Sequence, residues 1–494
     1  MASSSRLRTL LLVLGISAVI VASLVLVFDL RVEVTGSGWK PIFIFGDSAT
    51  HFTELELNRS QHYSRLLPAG LPPAHSPISA STAEPMAEPA DPVPRAEPEQ
   101  AEPVSGQTSD AYWTDFRGPD RDGRYTQTRI NTSWTDDGLR PIWKQPIGGG
   151  YASFVVADGR AFTIEQRWDQ EVVAAYDATT GRELWTHVWD THFREAMGGP
   201  GPRATPTWHE GRLYALGATG RFWCLDAETG AVIWNRNILD DSNASNLTWA
   251  MSGSPLIVDD QVVVQPGGLG WSVVAYDKQT GDVIWHALDD VQSYTSPMTV
   301  TLAGVRQILV VTARRVAGLT VEDGTLLWDH PWVVPTVPNI SQPVLLGDDR
   351  VFLSASYGHG AAVIRLTRTS DTFSVETIWR NNRMKNRFSS SVELDGYLYG
   401  LDESILACVN AATGELMWKG GRYGYGQLLL AGDHLIVLTE DGDLALVRAI
   451  PEQHYEVARF EAITGKTWNM PTLADGRLFV RNAREMAAFD LREP

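Results

Sequence analysis

The feature that most limits how this chain can fold is a short repeat at a near-constant interval. A small residue is followed by x-Asp-x-x-Thr-Gly-x-x-x-Trp, as in Ala175-Tyr176-Asp177 … Thr180-Gly181 … Trp185. Close copies run through Cys224-Leu225-Asp226 … Gly230 … Trp234 and Ala275-Tyr276-Asp277 … Gly281 … Trp285. Weaker ones are Gly318-Leu319-Thr320 … Gly324 … Trp328 and Cys408-Val409-Asn410 … Gly414 … Trp418. The glycines are 49, 51, 43 and 90 residues apart. The last interval is two steps, with a degenerate copy, Val363-Ile364-Arg365 … Trp379, between them. Alternating apolar residues before the Asp read as a strand, and Asp with Gly as a tight turn. The Trp falls on the returning strand, where a flat ring can pack on a neighbouring sheet.

A second turn series runs in register: Asp158-Gly159, Glu210-Gly211, Asp259-Asp260, Ala303-Gly304, Asp348-Asp349, Asp395-Gly396, Gly432-Asp433 and Asp475-Gly476. Each precedes an apolar strand. Two hairpins per unit make four strands, and units of roughly 40–50 residues with four strands are propeller blades. The chain ends on the third strand of the eighth unit, at Phe489-Asp490-Leu491. The Trp143 segment is an outer strand with no unit of its own. Pairing the two removes an open sheet edge. The expected fold is all-β: an eight-bladed β-propeller of four-stranded antiparallel blades over residues 110–494.

The residues before the propeller read differently. Arg6 and Arg8 precede an uncharged stretch, Leu10 to Phe28, of nineteen residues. That is close to the length that crosses a bilayer, and Phe28-Asp29-Leu30-Arg31 is no small-residue cleavage site. Residues 1–29 are expected to be a signal anchor and transmembrane helix with the short end in the cytoplasm, a cleaved signal peptide being the rival reading. The protein is then a single-pass inner-membrane protein with its propeller in the periplasm. Residues 30–109 form a juxtamembrane segment and a Pro/Ala/Glu-rich linker. Ile42-Phe43-Ile44-Phe45 reads as a short strand, and Pro68–Pro103 holds ten prolines. Such a stretch reads as an extended spacer holding the propeller away from the membrane.

Composition excludes several classes. Lys plus Arg is 41 against 59 for Asp plus Glu, a formal net charge of −18, so no nucleic-acid partner is expected. Only Cys224 and Cys408 occur, at the same repeat position in blades two and six, which excludes a disulfide scaffold and a cysteine metal site.

The first strand of most blades is marked by a Pro, at 206, 255, 297, 343 and 471. Three residues before that mark stand Arg203, Ser252, Tyr294, Ile340 and Trp468, and by analogy Tyr151, Phe388 and Tyr425. Five of these eight are aromatic, and Arg387 adjoins Phe388. Tyr151, Arg203, Tyr294, Arg387, Phe388, Tyr425 and Trp468 are the candidate cofactor- or ligand-binding residues, at one mouth of the central channel. Aromatic faces and guanidinium groups suit a flat anion. Elsewhere, Glu165-Gln166-Arg167 reads as a solvated loop, and His187, His192 and His209 as surface residues. Asp169 and Glu171 are the weak metal candidates.

The repeat, with the lead-in Trp113-Thr114-Asp115-Phe116-Arg117-Gly118-Pro119, resembles that of the pyrroloquinoline-quinone (PQQ) propellers over Trp113 to Leu491. That family includes quinoprotein alcohol dehydrogenases and the propeller protein of the outer-membrane assembly machinery. The resemblance implies PQQ with calcium as cofactor if the chain is an enzyme oxidising alcohols or sugars. It implies a protein partner if the chain is an assembly factor. The adjacent cysteine pair on which many of those enzymes stack the quinone is absent. A membrane-anchored binding or scaffold module, taking a protein or a small molecule at the channel mouth, is therefore the first expectation.

Overall fold

The computed structural model describes residues 31–34, 41–44, 48–64, 112–135 and 138–493. The apolar run Leu10–Phe28 and the proline-rich stretch Pro68–Pro103 lie outside the described residues. Among those described, no helix is long and apolar enough to cross a membrane.

Residues 112–493 form the expected eight blades. Seven follow one another in the chain, from Val155–Asp190 in blade 1 to Gln427–Glu461 in blade 7, each a meander of four antiparallel strands. The eighth combines the last three strands, Thr472–Ala474, Arg477–Arg481 and Glu485–Asp490, with Pro141–Pro146, which pairs antiparallel to the final strand and closes the ring. Blade 7 gains a fifth, inner strand, Arg124–Tyr125, which runs parallel to Gln427–Ala431.

Turn chemistry explains the blade outline. At Asp158-Gly159, Glu210-Gly211, Ala303-Gly304, Asp395-Gly396 and Asp475-Gly476 both central residues have positive φ, the two-residue turn whose twist matches paired strands. In the repeat turn, Asp177 Oδ1 accepts from the amides of Thr179 and Thr180 and from the Thr180 hydroxyl, and Asp226 does the same one blade on. All eight outer strand pairs carry a bulge beside the repeat aromatic, or beside Ala458 in blade 7, which sharpens the twist there.

The Trp and the Gly of the motif act across blades. Trp185 Nε1 donates to Ala227 O of blade 2 at 3.1 Å, and Trp234 Nε1 to Lys278 O of blade 3 at 3.1 Å. Beneath each ring lies the next blade's glycine. A Cβ on Gly230 would sit 2.5 Å from Trp185, and one on Gly281 2.8 Å from Trp234. Trp143 repeats the contact at the closure: it donates to Ala178 O at 3.2 Å and covers Gly181. Blade 5 lacks the glycine, and Trp328 of blade 4 bonds instead to Gln307 Oε1 within its own blade. Cys224 and Cys408 are buried, free thiols in two separate cores.

Glu165-Gln166-Arg167 is no solvated loop. It ends a strand and is buried at the seam between blades 8 and 1. Arg167 pairs with Glu165 and Glu183, and the buried Arg481 of blade 8 donates to Thr163 Oγ1 at 2.7 Å and Gly148 O at 2.9 Å. Burial alone would raise the Glu165 pKa, but the guanidinium groups of Arg167, Arg481 and Arg59 override it and hold the carboxyl at about 2.

The cross-blade contact separates two glycines of equal backbone geometry. Gly211 and Gly230 both have φ +74, but a Cβ on Gly211 meets nothing within 4 Å. Gly211→Ala should cost about 1 kcal/mol of left-handed strain. Gly230→Ala should cost roughly 1–3 kcal/mol more, because Trp185 must move. Chemical denaturation of the two variants measures the difference, and equal losses would show that the ring does not rest on the glycine.

Candidate functional site at the channel mouth

The loops that enter the inner strands meet around a cavity of about 450 Å³ at one end of the channel. Tyr151, Arg203, Ser252, Tyr294, Ile340, Phe388 and Trp468 all line it, so seven of the eight positions picked by register reach one space. Arg387 lines it as well. Tyr425 does not: it stands behind, where its hydroxyl accepts from Arg387 Nη1 at 2.6 Å and its ring packs edge-on to Phe388. In blade 7 the lining residue is Gln427, which donates to the carbonyls of Phe388 and Trp468.

The level of these residues is set just below them. Ser153 N donates to Thr205 Oγ1, Ser254 N to Ser296 Oγ, Ser296 N to Gln342 Oε1, and Gln342 N to Ser390 Oγ. Thr205, Ser254, Ser296 and Gln342 each precede one of the marking prolines, which holds them extended. The side chains of Thr205, Ser296, Gln342 and Ser390 thus each tie an inner strand to the neighbouring blade.

The floor comes from the lead-in. Phe116 lines the cavity, and the residues around it cross the channel. Arg121 is buried and donates to Ser254 O at 3.2 Å, to Pro297 O at 2.9 Å and to Pro255 O, and it pairs with Asp115. Arg117 donates to Asp122 O and, across the channel, to Ser391 O, both at 2.9 Å. Burial lowers the Arg117 pKa to about 10. Two arginines therefore fasten the segment to blades 3, 4 and 6, and the mouth is a cup rather than a pore.

The walls are stacked rings. Trp468 lies 5.3 Å from Tyr151 and 4.5 Å from Phe388 by ring centroids, and its Nε1 donates to Glu440 at 3.0 Å. Lys466 Nζ sits 4.6 Å over the Trp468 ring. Arg387 lies 4.5 Å from the Tyr425 ring and 4.9 Å from that of Tyr357, and its Nε makes no hydrogen bond within the chain. Arg203 packs on Tyr151 and Phe193, but its fork is taken by the carbonyls of Gly199, at 2.8 Å, and Gly201. Arg203 thus holds the Gly198–Pro202 loop over the cup, whereas Arg387 keeps its charge at the wall with the Tyr425 hydroxyl as its hydrogen-bonded neighbour. Phe116, Trp249, Tyr357 and Met197 complete the wall. Sequence reasoning missed them because they lie on the lead-in and on loops outside the repeat register.

The donor set decides whether PQQ with calcium fits. None of the lining residues is Asp, Glu, Asn or His. Among the described residues no group of three or more His, Cys, Asp or Glu could hold a metal ion. Asp169 is exposed and pairs with His192, whereas Glu171 is buried and accepts from Ala218 N at 3.0 Å. A calcium-chelated quinone therefore does not fit this mouth, although the rings and guanidinium groups would suit a planar anion alone.

The fold and the mouth define a PQQ-like repeat propeller. The PQQ_2 family model, described as outer membrane protein assembly factor BamB, matches residues 169–420, just over half of the chain, and the chain belongs to that family. The quinohemoprotein alcohol dehydrogenase ADH IIB of Pseudomonas putida is 30 % identical over 135 residues, 26 % of this chain and 18 % of that enzyme. The outer membrane protein assembly factor BamB of Yersinia pestis is 24 % identical over 283 residues, 53 % of this chain and 70 % of that protein. Among solved structures, the quinohemoprotein alcohol dehydrogenase from Comamonas testosteroni superposes with a TM-score of 0.55 at 14 % identity, covering 79 % of this chain and 82 % of that one. The chain spans less than a quarter of the P. putida enzyme.

Glu171 gives the mouth's surroundings a pH signature. Burial raises its pKa from 4.5 to about 7, partly offset by the Ala218 amide and by Arg203. Below about pH 4.5 the carboxyl is protonated in both the folded and the unfolded chain. Between there and about pH 7 only the folded chain keeps the proton, so this group's contribution to stability is lost as pH rises. Glu171→Gln removes the titration and keeps the oxygen that faces Ala218. It should stabilise the protein at pH 8 by up to about 3 kcal/mol relative to pH 4, read from melts of both proteins across that range.

Proposed function

We propose that this protein is a single-pass inner-membrane protein, anchored through Leu10–Phe28, whose periplasmic propeller acts as a binding or scaffold module. The observation that carries the binding role is the lining of the cup: stacked aromatic rings and two arginines over a closed floor, with no Asp, Glu or His on the surface. Oxidising an alcohol requires a group that takes up its proton within hydrogen-bond reach, and this lining holds no carboxylate or imidazole for that role. Rings and the guanidinium groups at the wall instead suit a planar aromatic carboxylate or an aromatic-acidic segment of a protein.

The second reading, a PQQ-dependent dehydrogenase, is favoured by the P. putida relative. The third, an assembly-factor-like role with a protein partner, is favoured by the family and by the longer match to the Yersinia protein. PQQ separates them as a probe, because it is both a planar tricarboxylate and the relatives' cofactor. A shift in melting temperature with PQQ that needs no calcium is expected of the binding module. Arg387→Ala should weaken that binding by about 1.5–3 kcal/mol, with little change in the melt of the ligand-free protein. Arg203→Ala should lower that melt, because its loop loses its anchor. Binding that requires calcium would favour the dehydrogenase, and no shift at all would favour a protein occupant.

A further inference from the structure

Upstream of the propeller the structure holds a helix, Ser48–Ser64, that sequence reasoning did not anticipate. It lies on the ring-closing seam. Leu55 is fully buried, and Arg59 is 2 % exposed. Arg59 Nη2 donates to Pro146 O at 3.0 Å and to the Tyr176 hydroxyl at 3.2 Å, and its Nε lies 3.3 Å from Glu183. Two turns before Arg59, His51 Nε2 is 2.9 Å from Ile147 O, and the Phe52 ring is 5.0 Å from that of Trp168. The spacing i, i+4, i+8 puts His51, Leu55 and Arg59 on one face. Pro146 and Ile147 end the closing strand, whereas Trp168, Tyr176 and Glu183 belong to blade 1. The helix therefore straddles the one junction of the ring that joins the two ends of the propeller.

Arg59 is no ordinary surface pairing. Exposed ion pairs contribute little, but a buried guanidinium without partners would be strongly unfavourable. Here it meets a carboxylate, a phenol and a carbonyl already held by Arg167 and by the closing strand. We infer that the helix Ser48–Ser64 is a clamp, and that Glu183, the Tyr176 hydroxyl and Pro146 O form a guanidinium receptor that pins the N-terminal arm across the closing seam. Whatever lies before residue 48 is then coupled to the propeller through the helix, and residues 65–111 join two points that are both fixed to the ring. With the anchor proposed above, the propeller is held at the membrane by the short stretch before the helix and not at the end of a proline-rich spacer.

The test uses the full chain, purified in detergent with a C-terminal affinity tag and a site for a sequence-specific protease inserted between residues 90 and 100. After cleavage and capture on the tag, the clamp keeps the N-terminal fragment with the propeller. Arg59→Glu should release it at least about tenfold faster. Release of the fragment from the cleaved wild-type sequence within the first wash overturns the proposal. Should Arg59→Glu fail to fold, a second variant decides: Phe52→Cys with Trp168→Cys should form a disulfide under mild oxidation that links the two fragments of one chain. The native cysteines are buried and do not compete. A link that forms only between copies, or none, also overturns the clamp.

Discussion

The ring depends on one contact made again and again: a tryptophan face laid on the glycine of the next blade. The motif looks like a property of a single blade, but its halves serve different neighbours. Gly230 exists for Trp185, and Trp234 for Gly281. The glycine combines a left-handed turn with the absence of a Cβ, and that combination lets an indole lie flat on the turn. Blade 5 shows the division. It has lost the glycine but kept Trp379, which covers Gly414 of blade 6 and donates to Ala411 O at 2.9 Å. Two repeat tryptophans face no glycine of the next blade: Trp328 turns to Gln307 of its own blade, whereas Trp418 still donates across to Ile450 O at 2.8 Å. Closure uses the same chemistry, with Trp143 from the start of the propeller covering Gly181 of blade 1, so the chain ends are joined by the contact that joins every regular pair.

This outer latch determines what happens at the centre. Once each blade is fixed against its neighbours, equivalent loop positions arrive at one height around the channel. The hydroxyl and amide side chains before the prolines then tie the inner strands together. That is why counting back from a proline found the wall of the cup. Blade 7 escapes the count for a local reason. Like blades 1 and 6 it has no marking proline, but its inner strand, Gln427–Ala431, is longer than most, and Gly424 turns the chain with φ +63 just before it. Tyr425 is thereby displaced behind Arg387, and Gln427 takes the place at the wall.

The blades, their number and the closing strand were legible because they follow from periodic residues whose roles are local: turn formers, alternating apolar positions and one aromatic. What stayed hidden depends on contacts between distant segments. Glu165 and Arg167 looked like solvated polar residues because their partners come from elsewhere: Glu183 from the outer strand of the same blade, Arg481 by the closing of the ring and Arg59 from the helix. The helix itself carries a weak apolar pattern, since two of the three residues on its docking face are His51 and Arg59. The lead-in was recognisable as a motif, yet nothing local says that Arg117 and Arg121 span the channel. Both take positive φ, at 67° and 57°, a conformation unusual outside glycine that persists only where the surroundings over-determine it.

Charge places a further condition on the cup. The chain carries a formal net charge of −18, so an approaching anion meets an unfavourable field at long range. Arg387, Arg203 and Lys466 set three cations at the mouth against Glu440, Glu403 and Glu195 just behind it, and the rings beneath them lower the local polarity, where a guanidinium acts more strongly than in water. An anion held here must therefore gain most of its affinity at contact, from stacking and from one or two charge-assisted bonds, rather than from attraction over distance. The same arrangement discriminates by shape. A small hydrated anion feels the outer field and gains no stacking, whereas a flat aromatic acid gains both contacts only after it has entered. The closed floor adds to this, because Phe116 stops an extended segment from threading through and leaves room only for what ends in the cup.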